Sequence, residues 1–166
     1  FDTHARQRNW ALDRHPWRTP WILVVDSDER VSPELVEEMR AIVAAPDAFS
    51  AYAVKKRLIF YGQWMRHCWY SAWDLRLFRH GSARYEERAV HEHMITSGRV
   101  GYLRADLIHN DFKDMDSWIA KHNRYATIEA SEMNREAGEG RVRGKLFGTW
   151  TERRRYIKDE IWNRLP

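Results

Sequence analysis

The chain has 166 residues, of which 43% are hydrophobic and 31% charged, with a net charge of +4. This is the make-up of a folded globular protein, not a disordered one, and the length suits one domain with a substantial core. No apolar run approaches the roughly 20 residues needed to cross a bilayer; the single cysteine, Cys68, excludes an intramolecular disulfide and a cysteine-rich zinc site, and fits a reducing compartment.

In chain order, residues 5–14, ARQRNWALDR, read as a short helix, broken by the two prolines of HPWRTP. WILVVD (21–26) is a short continuous apolar run rich in β-branched residues, the pattern of a strand buried on both faces. It runs straight into Asp26, Asp28 and Glu29, three acids within four positions. Carboxylates so close repel one another unless something positive lies between them. They read either as a solvated turn before a helix or as a metal site at the carboxyl end of a sheet strand. Ser32 and Pro33 then supply an N-cap and a first-turn proline, Leu35, Val36, Met39, Ile42 and Val43 recur at helical spacing, and Pro46 stops the run.

AYAVKKRLIFYG (51–62) predicts a strand leading to a turn at Gly62, and DLRLFRHG (74–81) a short strand ending at Gly81. RAVHEHMI (88–95) and GRVGYLRADLIHN (98–110) are further strand candidates, separated at Ser97-Gly98. A long helix is predicted from Ser117 to Ala137, with Trp118, His122, Tyr125, Glu129 and Met133 down one face and Gly138 and Gly140 ending it. Leu146, Trp150, Ile157, Ile161 and Leu165 fall near helical spacing, with arginines between them. From position 141 onward eight cations face three acids, so the positive excess is C-terminal and suits an anionic partner. No internal repeat, linker or second domain is visible.

The chemistry-bearing residues each admit two readings. Mg²⁺ and Mn²⁺ prefer oxygen ligands and leave places for phosphate, which suits Asp26-Ser27-Asp28 at a strand end, although such a triplet also occurs as a solvated helix start. Glu92, between His91 and His93, is either an exposed strand carboxylate or a general base. His109 is either a hydrogen-bonded core histidine or a ligand; with His91 and His93 it also suggests zinc, which would leave the acidic triplet without a role. Arg76 and Arg79 read as phosphate ligands or as a solvated strand edge. Lys121 and Tyr125 share one helix side, as packing or as chemistry.

The order of VVDSDER (24–30), RLF (76–78), VHE (90–92), His109 after LRADLI, and KHNRYATIEA (121–130), preceded by FDTHARQRNWAL (1–12), resembles the family-2 glycosyltransferases of GT-A fold. The likeness is greatest to the bacterial branch that adds sugars to the lipopolysaccharide core. The resemblance implies an α/β fold, a partial GT-A (Rossmann-like) domain with a mixed sheet flanked by helices. Residues 1–137 would be its C-terminal two-thirds and 138–166 a basic amphipathic helical tail. The strand–helix units that open such a domain are missing from the sequence, so the chain is expected to be a piece of something longer.

The resemblance also implies an inverting, divalent-metal-dependent transfer from a nucleotide-sugar, a uridine diphosphate sugar foremost, to a lipid-anchored saccharide of the lipopolysaccharide core. Asp28 would bind Mg²⁺ or Mn²⁺ directly, Asp26 would contact the ribose or help hold the metal, and His109 would complete the coordination. Arg76 would face the donor, and Glu92 would deprotonate the acceptor hydroxyl. Such an enzyme is expected in the cytoplasm, peripheral on the inner face of the inner membrane, with the basic tail on the anionic surface. The competing expectation is a non-catalytic fragment or an anionic lipid- or glycan-binding module. Nucleic acid is not expected as a partner, because the acids oppose it and no nucleic-acid motif is present.

Overall fold

The structure is a computed structural model that describes residues 3–45, 49–67, 73–87 and 93–139, together with Leu146, Phe147, Arg153, Tyr156 and Ile157; at 129 and 132–139 it describes the backbone alone. In chain order the elements are α1 (His4–Arg14), β1 (Trp21–Leu23), β2 (Glu29–Val31), α2 (Pro33–Ala44), β3 (Ala51–Phe60), β4 (Gln63–Trp64), β5 (Trp73–Arg79), β6 (Ala83–Tyr85), β7 (Met94–Thr96), β8 (Val100–Tyr102), β9 (Leu107–Asp111) and α3 (Met115–Glu139). The fold is mixed α/β, a mixed sheet with three helices among the described residues. The chain divides into two compact units, His15–Ala83 with Gly98–Lys113, and Phe1–Arg14 with Arg84–Ser97 and Asp114–Pro166. Each is assembled from sequence-distant stretches, which is why no linker announces the division.

The first unit is organised by β3. Along one edge its first half pairs antiparallel with β5 and its end with β4. Along the other edge, β8 pairs parallel with Ala51–Ala53 and β9 parallel with Lys56–Phe60. The single strand expected over residues 98–110 is therefore two. Between them Leu103 still donates to the Ala53 carbonyl at 2.9 Å, and the following loop is gripped by α2: the Glu38 carboxylate accepts from the backbone N–H groups of Arg104 and Ala105, both at 2.9 Å. Ser32 caps α2 as its sequence implies, accepting from Leu35 N at 3.2 Å, and donates to the Asp106 carbonyl at 3.1 Å. One hydroxyl thus starts the helix and ties it to the entrance of β9.

The apolar run at 21–26 forms a strand of three residues, which pairs with β5 at one end of the sheet. Trp21 and Ile22, on opposite faces, are both buried, whereas Val25 is exposed. A further strand, β2, follows the acidic turn before α2 begins and pairs antiparallel with β9. The core gathers Trp21, Leu35, Tyr52, Val54, Leu77, Leu103 and Leu107, so the helix's apolar stripe packs with one face of the strands in one cluster.

In the second unit, Asn9 of α1 is buried and acts as a strand partner through its side chain. Its Nδ2 donates to Tyr85 O at 2.8 Å and its Oδ1 accepts from Tyr85 N at 2.9 Å. Arg84 makes a two-pronged pair with Asp13 at 2.9 and 3.0 Å. β6 and β7 form a two-stranded sheet, and Glu86 N donates to His93 O at 2.9 Å. The long helix expected at 117–137 is present as Met115–Glu139, with Trp118 and His122 stacked at 3.8 Å. Most of the segment expected as a basic helical tail, 138–166, lies outside the described residues.

Candidate functional site

The acidic stretch is a tight turn closed from both sides. Glu29 N donates to the Asp26 carbonyl at 3.0 Å, and Asp26 N donates to Glu29 Oε2 at 2.8 Å. Glu29 opens β2, where it pairs with His109 of β9, and His109 in turn pairs with Leu58 of β3. The Glu29 side chain is 1% exposed, where an ionised carboxylate is costly unless it is paired.

That cation is Arg76. Its Nη2 donates to Glu29 Oε1 at 2.8 Å and to Asp26 Oδ2 at 2.9 Å. Arg76 reaches the turn because it is the additional residue of a β-bulge: Tyr52 pairs with Leu77 and Ala53 with Leu75, and the pairing skips it. Bulges re-aim side chains in this way. Burial alone would pull the guanidinium pKa down, but Glu29, Asp26 and Asp74 outweigh it and raise it further. Lys56 extends the alternation of charge, with Nζ 3.7 Å from Glu29 Oε1 and 2.8 Å from Asp74 Oδ2. Arg76 is thus a buried counter-ion of the turn, not a solvated edge residue. Arg79 lies over the Trp21 ring at 4.6 Å.

Asp28 is turned elsewhere. Its Oδ2 lies 3.3 Å from His109 Nε2, with side chains 35% and 24% exposed, and its carbonyl accepts from Asn110 N at 2.9 Å. Among the described residues, no lysine or arginine pairs with it. Adjacent ligand atoms of a hard octahedral cation stand about 3 Å apart, so the 3.3 Å separation suits a shared cation as well as a hydrogen bond. No group of three His, Cys, Asp or Glu that could hold a metal occurs among the described residues. Mg²⁺ is usually held by one or two carboxylates with the remaining places left to phosphate and water; here the pair offers one carboxylate and one imidazole nitrogen.

The structure therefore brings Asp26, Asp28, Arg76 and His109 to one turn and the strands around it. Glu92 and His91 lie outside the described residues, as do most of the tail cations. Two participants were not singled out from sequence: Lys56, and Glu29 as the buried anchor. The three-residue spacing of Asp26 and Glu29, the spacing at which a side chain reaches back to a backbone N–H, was the available signal for Glu29.

The mixed α/β fold is consistent with the glycosyltransferase class to which the sequence motifs pointed. Comparison with known proteins gives the same class. Over 133 residues, 78% of its length, the chain is 34% identical to the lipopolysaccharide core biosynthesis glycosyltransferase LpsC of Rhizobium meliloti (strain 1021). The chain is thus similar to part of a glycosyltransferase of lipopolysaccharide core biosynthesis. It spans about half of that curated relative's length, the match covering 48% of it. No protein-family model matches the chain.

Proposed function

We propose that this chain carries the metal site and the acceptor side of an inverting, divalent-metal-dependent glycosyltransferase. It would move a sugar from a nucleotide-sugar, a uridine diphosphate sugar foremost, to a lipid-anchored saccharide of the lipopolysaccharide core. The relative's name supports the reaction class, and the Asp28–His109 pair is the observation that carries the metal dependence. Asp28 and His109 would hold Mg²⁺ or Mn²⁺. Bound there, the cation would supply Lewis-acid stabilisation of charge on the departing nucleoside diphosphate.

The chain's own residues do the rest of the work in this reading. Arg76 pairs with both Asp26 and Glu29, and Lys56 lies near Glu29, so Asp28 is the acid of the turn that no lysine or arginine among the described residues pairs with. Asp26 keeps a partly exposed side chain from which to meet the ribose or the metal. Glu92, by its place in the VHE motif, accepts the proton of the acceptor hydroxyl as that oxygen attacks the anomeric carbon from the face opposite the leaving group. A single displacement without a covalent sugar intermediate inverts configuration. No helix of the described residues is long and apolar enough to cross a membrane, which is compatible with peripheral attachment at the cytoplasmic face of the inner membrane.

The test is thermal stability of the chain with Mn²⁺, with uridine diphosphate and with both, beside Asp28→Asn. Ligand at about 100 times its dissociation constant stabilises by about 2.7 kcal/mol. The reading expects a rise in melting temperature that requires both ligands and is lost in the variant. A non-catalytic lipid- or glycan-binding module would show no such joint requirement.

A further inference from the structure

The register of the sheet carries the Asp28–His109 site on into a row of different chemistry. His109 of β9 stands beside Leu58 of β3. One step further along the same two strands Asp111 stands beside Phe60, whose partner across the hairpin on β4 is Gln63. Registered neighbours, and residues two apart on a strand, lie on one face of a sheet. Gln63, Phe60 and Asp111 therefore share the face that carries His109, and two residues of strand separate the rows by roughly 7 Å. Asp28 is tied in as well, because Asn110 N, next to Asp111, donates to the Asp28 carbonyl at 2.9 Å.

The row is an aromatic ring between an amide and a carboxylate. Phe60 and Asp111 are half-buried and Gln63 is exposed. Tyr61 enlarges the apolar part: its ring meets that of Phe60 edge-on at 4.9 Å, and it is 62% exposed. It does so from a left-handed backbone, φ 49°, followed by Gly62 at 73°. A two-residue hairpin of this kind favours Asn-Gly, and a bulky side chain is strained at its first position. Strained backbone of that sort gathers at ligand sites. The Asp111 carboxylate is oriented from the other side, one oxygen accepting from Lys113 N at 3.2 Å.

We propose that Gln63, Phe60, Tyr61 and Asp111 form a saccharide subsite beside the Asp28–His109 pair. A sugar ring has an apolar face of C–H groups and a rim of hydroxyls. The first stacks on Phe60 and Tyr61, and the second donates to Asp111 and exchanges hydrogen bonds with Gln63. A neutral sugar suits a row whose charged member is Asp111, whereas a nucleoside diphosphate or an anionic lipid surface brings phosphates that this carboxylate repels. That the bound sugar is the acceptor rests on the proposed function. The binding of a saccharide by the row does not.

The experiment is saturation-transfer nuclear magnetic resonance of the full chain titrated with core oligosaccharide released from lipopolysaccharide by mild acid. It is run with and without Mn²⁺ and uridine diphosphate. The variants are Phe60→Leu, Tyr61→Ser, Asp111→Ala and Asp111→Asn. Tyr102→Ser is the control, since Tyr102 is 51% exposed and pairs with Ala53, on the other face of the sheet. The wild type is expected to bind. Loss of either ring should weaken binding by roughly threefold to tenfold, and Asp111→Ala by about tenfold or more. Asp111→Asn keeps an oxygen for the turn to Lys113 and should fall between Asp111→Ala and wild type, while Tyr102→Ser should bind as wild type does. Unchanged binding in Phe60→Leu, Tyr61→Ser and Asp111→Ala, an equal loss in Tyr102→Ser, or no wild-type binding in either condition would overturn the proposal. The thermal response to Mn²⁺ with uridine diphosphate should be the same in these variants as in wild type. Its loss in them with oligosaccharide binding intact would make the row a nucleotide subsite and overturn the proposal. Its absence from wild type as well would count against the proposed function and leave the saccharide result standing.

Discussion

Asp28 and Glu29 are neighbours in the chain and differ in almost everything else. Glu29 is 1% exposed, returns one oxygen to the Asp26 backbone and gives the other to Arg76. Asp28 is 35% exposed and faces a histidine. A buried carboxylate with a matched cation is an architectural element, since its charge is already answered. A half-exposed carboxylate beside an imidazole can still take a ligand. The acids at 26–29 are therefore two devices in one turn: Asp26 and Glu29 with Arg76 shape it, and Asp28 with His109 is left available.

Removing the shared cation should break this contrast most severely. Arg76→Met removes the cation that Glu29 and Asp26 share, and losing one partner of a buried pair costs about 3–5 kcal/mol. Urea unfolding should show that loss as a lower midpoint. Arg76→Lys keeps the charge but not the planar geometry that serves two carboxylates, and should fall between the two. Ser32→Ala removes the α2 cap and the tie to Asp106 together, for about 1 kcal/mol in the same measurement. Asp28→Asn should lie within about 0.5 kcal/mol of wild type, as substitutions outside the core usually do. A loss as large as that of Arg76→Met would mean that Asp28 too is architectural.

The smallest effect concerns pH and lies in the other unit. A hydrogen bond from Arg84 holds the Asp13 carboxyl below its ordinary value, against a weaker opposing effect of burial. A depressed carboxylate contributes stability that is full above the unfolded value, about 4, and is lost as pH falls through the folded one. The melting temperature of Asp13→Asn should therefore trail wild type at neutral pH, with the gap closing in acid.

Local structure was legible wherever a periodic pattern and a cap coincided. The α1 helix, the Ser32 start of α2, the long β3 strand and the α3 helix all follow from spacing and terminal residues. β2 was not legible, because three residues show no period and their partner strand begins 78 positions after theirs does. The division of residues 98–110 into β8 and β9 depends on Glu38 gripping the intervening loop from a helix more than 60 residues earlier. At the site, the clustering of acids was visible, but the charge between two of them was not. Arg76 lies 47 and 50 positions from Glu29 and Asp26 and reaches them through a bulge that alternation does not reveal.

The central claim is that Asp28, with His109, holds a divalent cation for a diphosphate while Arg76 occupies the other two acids. Its most direct test is electron paramagnetic resonance of Mn²⁺ titrated with the chain, with and without uridine diphosphate, in wild type, Asp28→Asn, His109→Gln and Glu29→Gln. In wild type, the free-ion signal should fall beyond what uridine diphosphate alone removes. That additional loss should vanish in Asp28→Asn, weaken in His109→Gln and persist in any Glu29→Gln protein that remains folded. Mn²⁺ binding that is unchanged in Asp28→Asn, or that disappears only with Glu29, would contradict it.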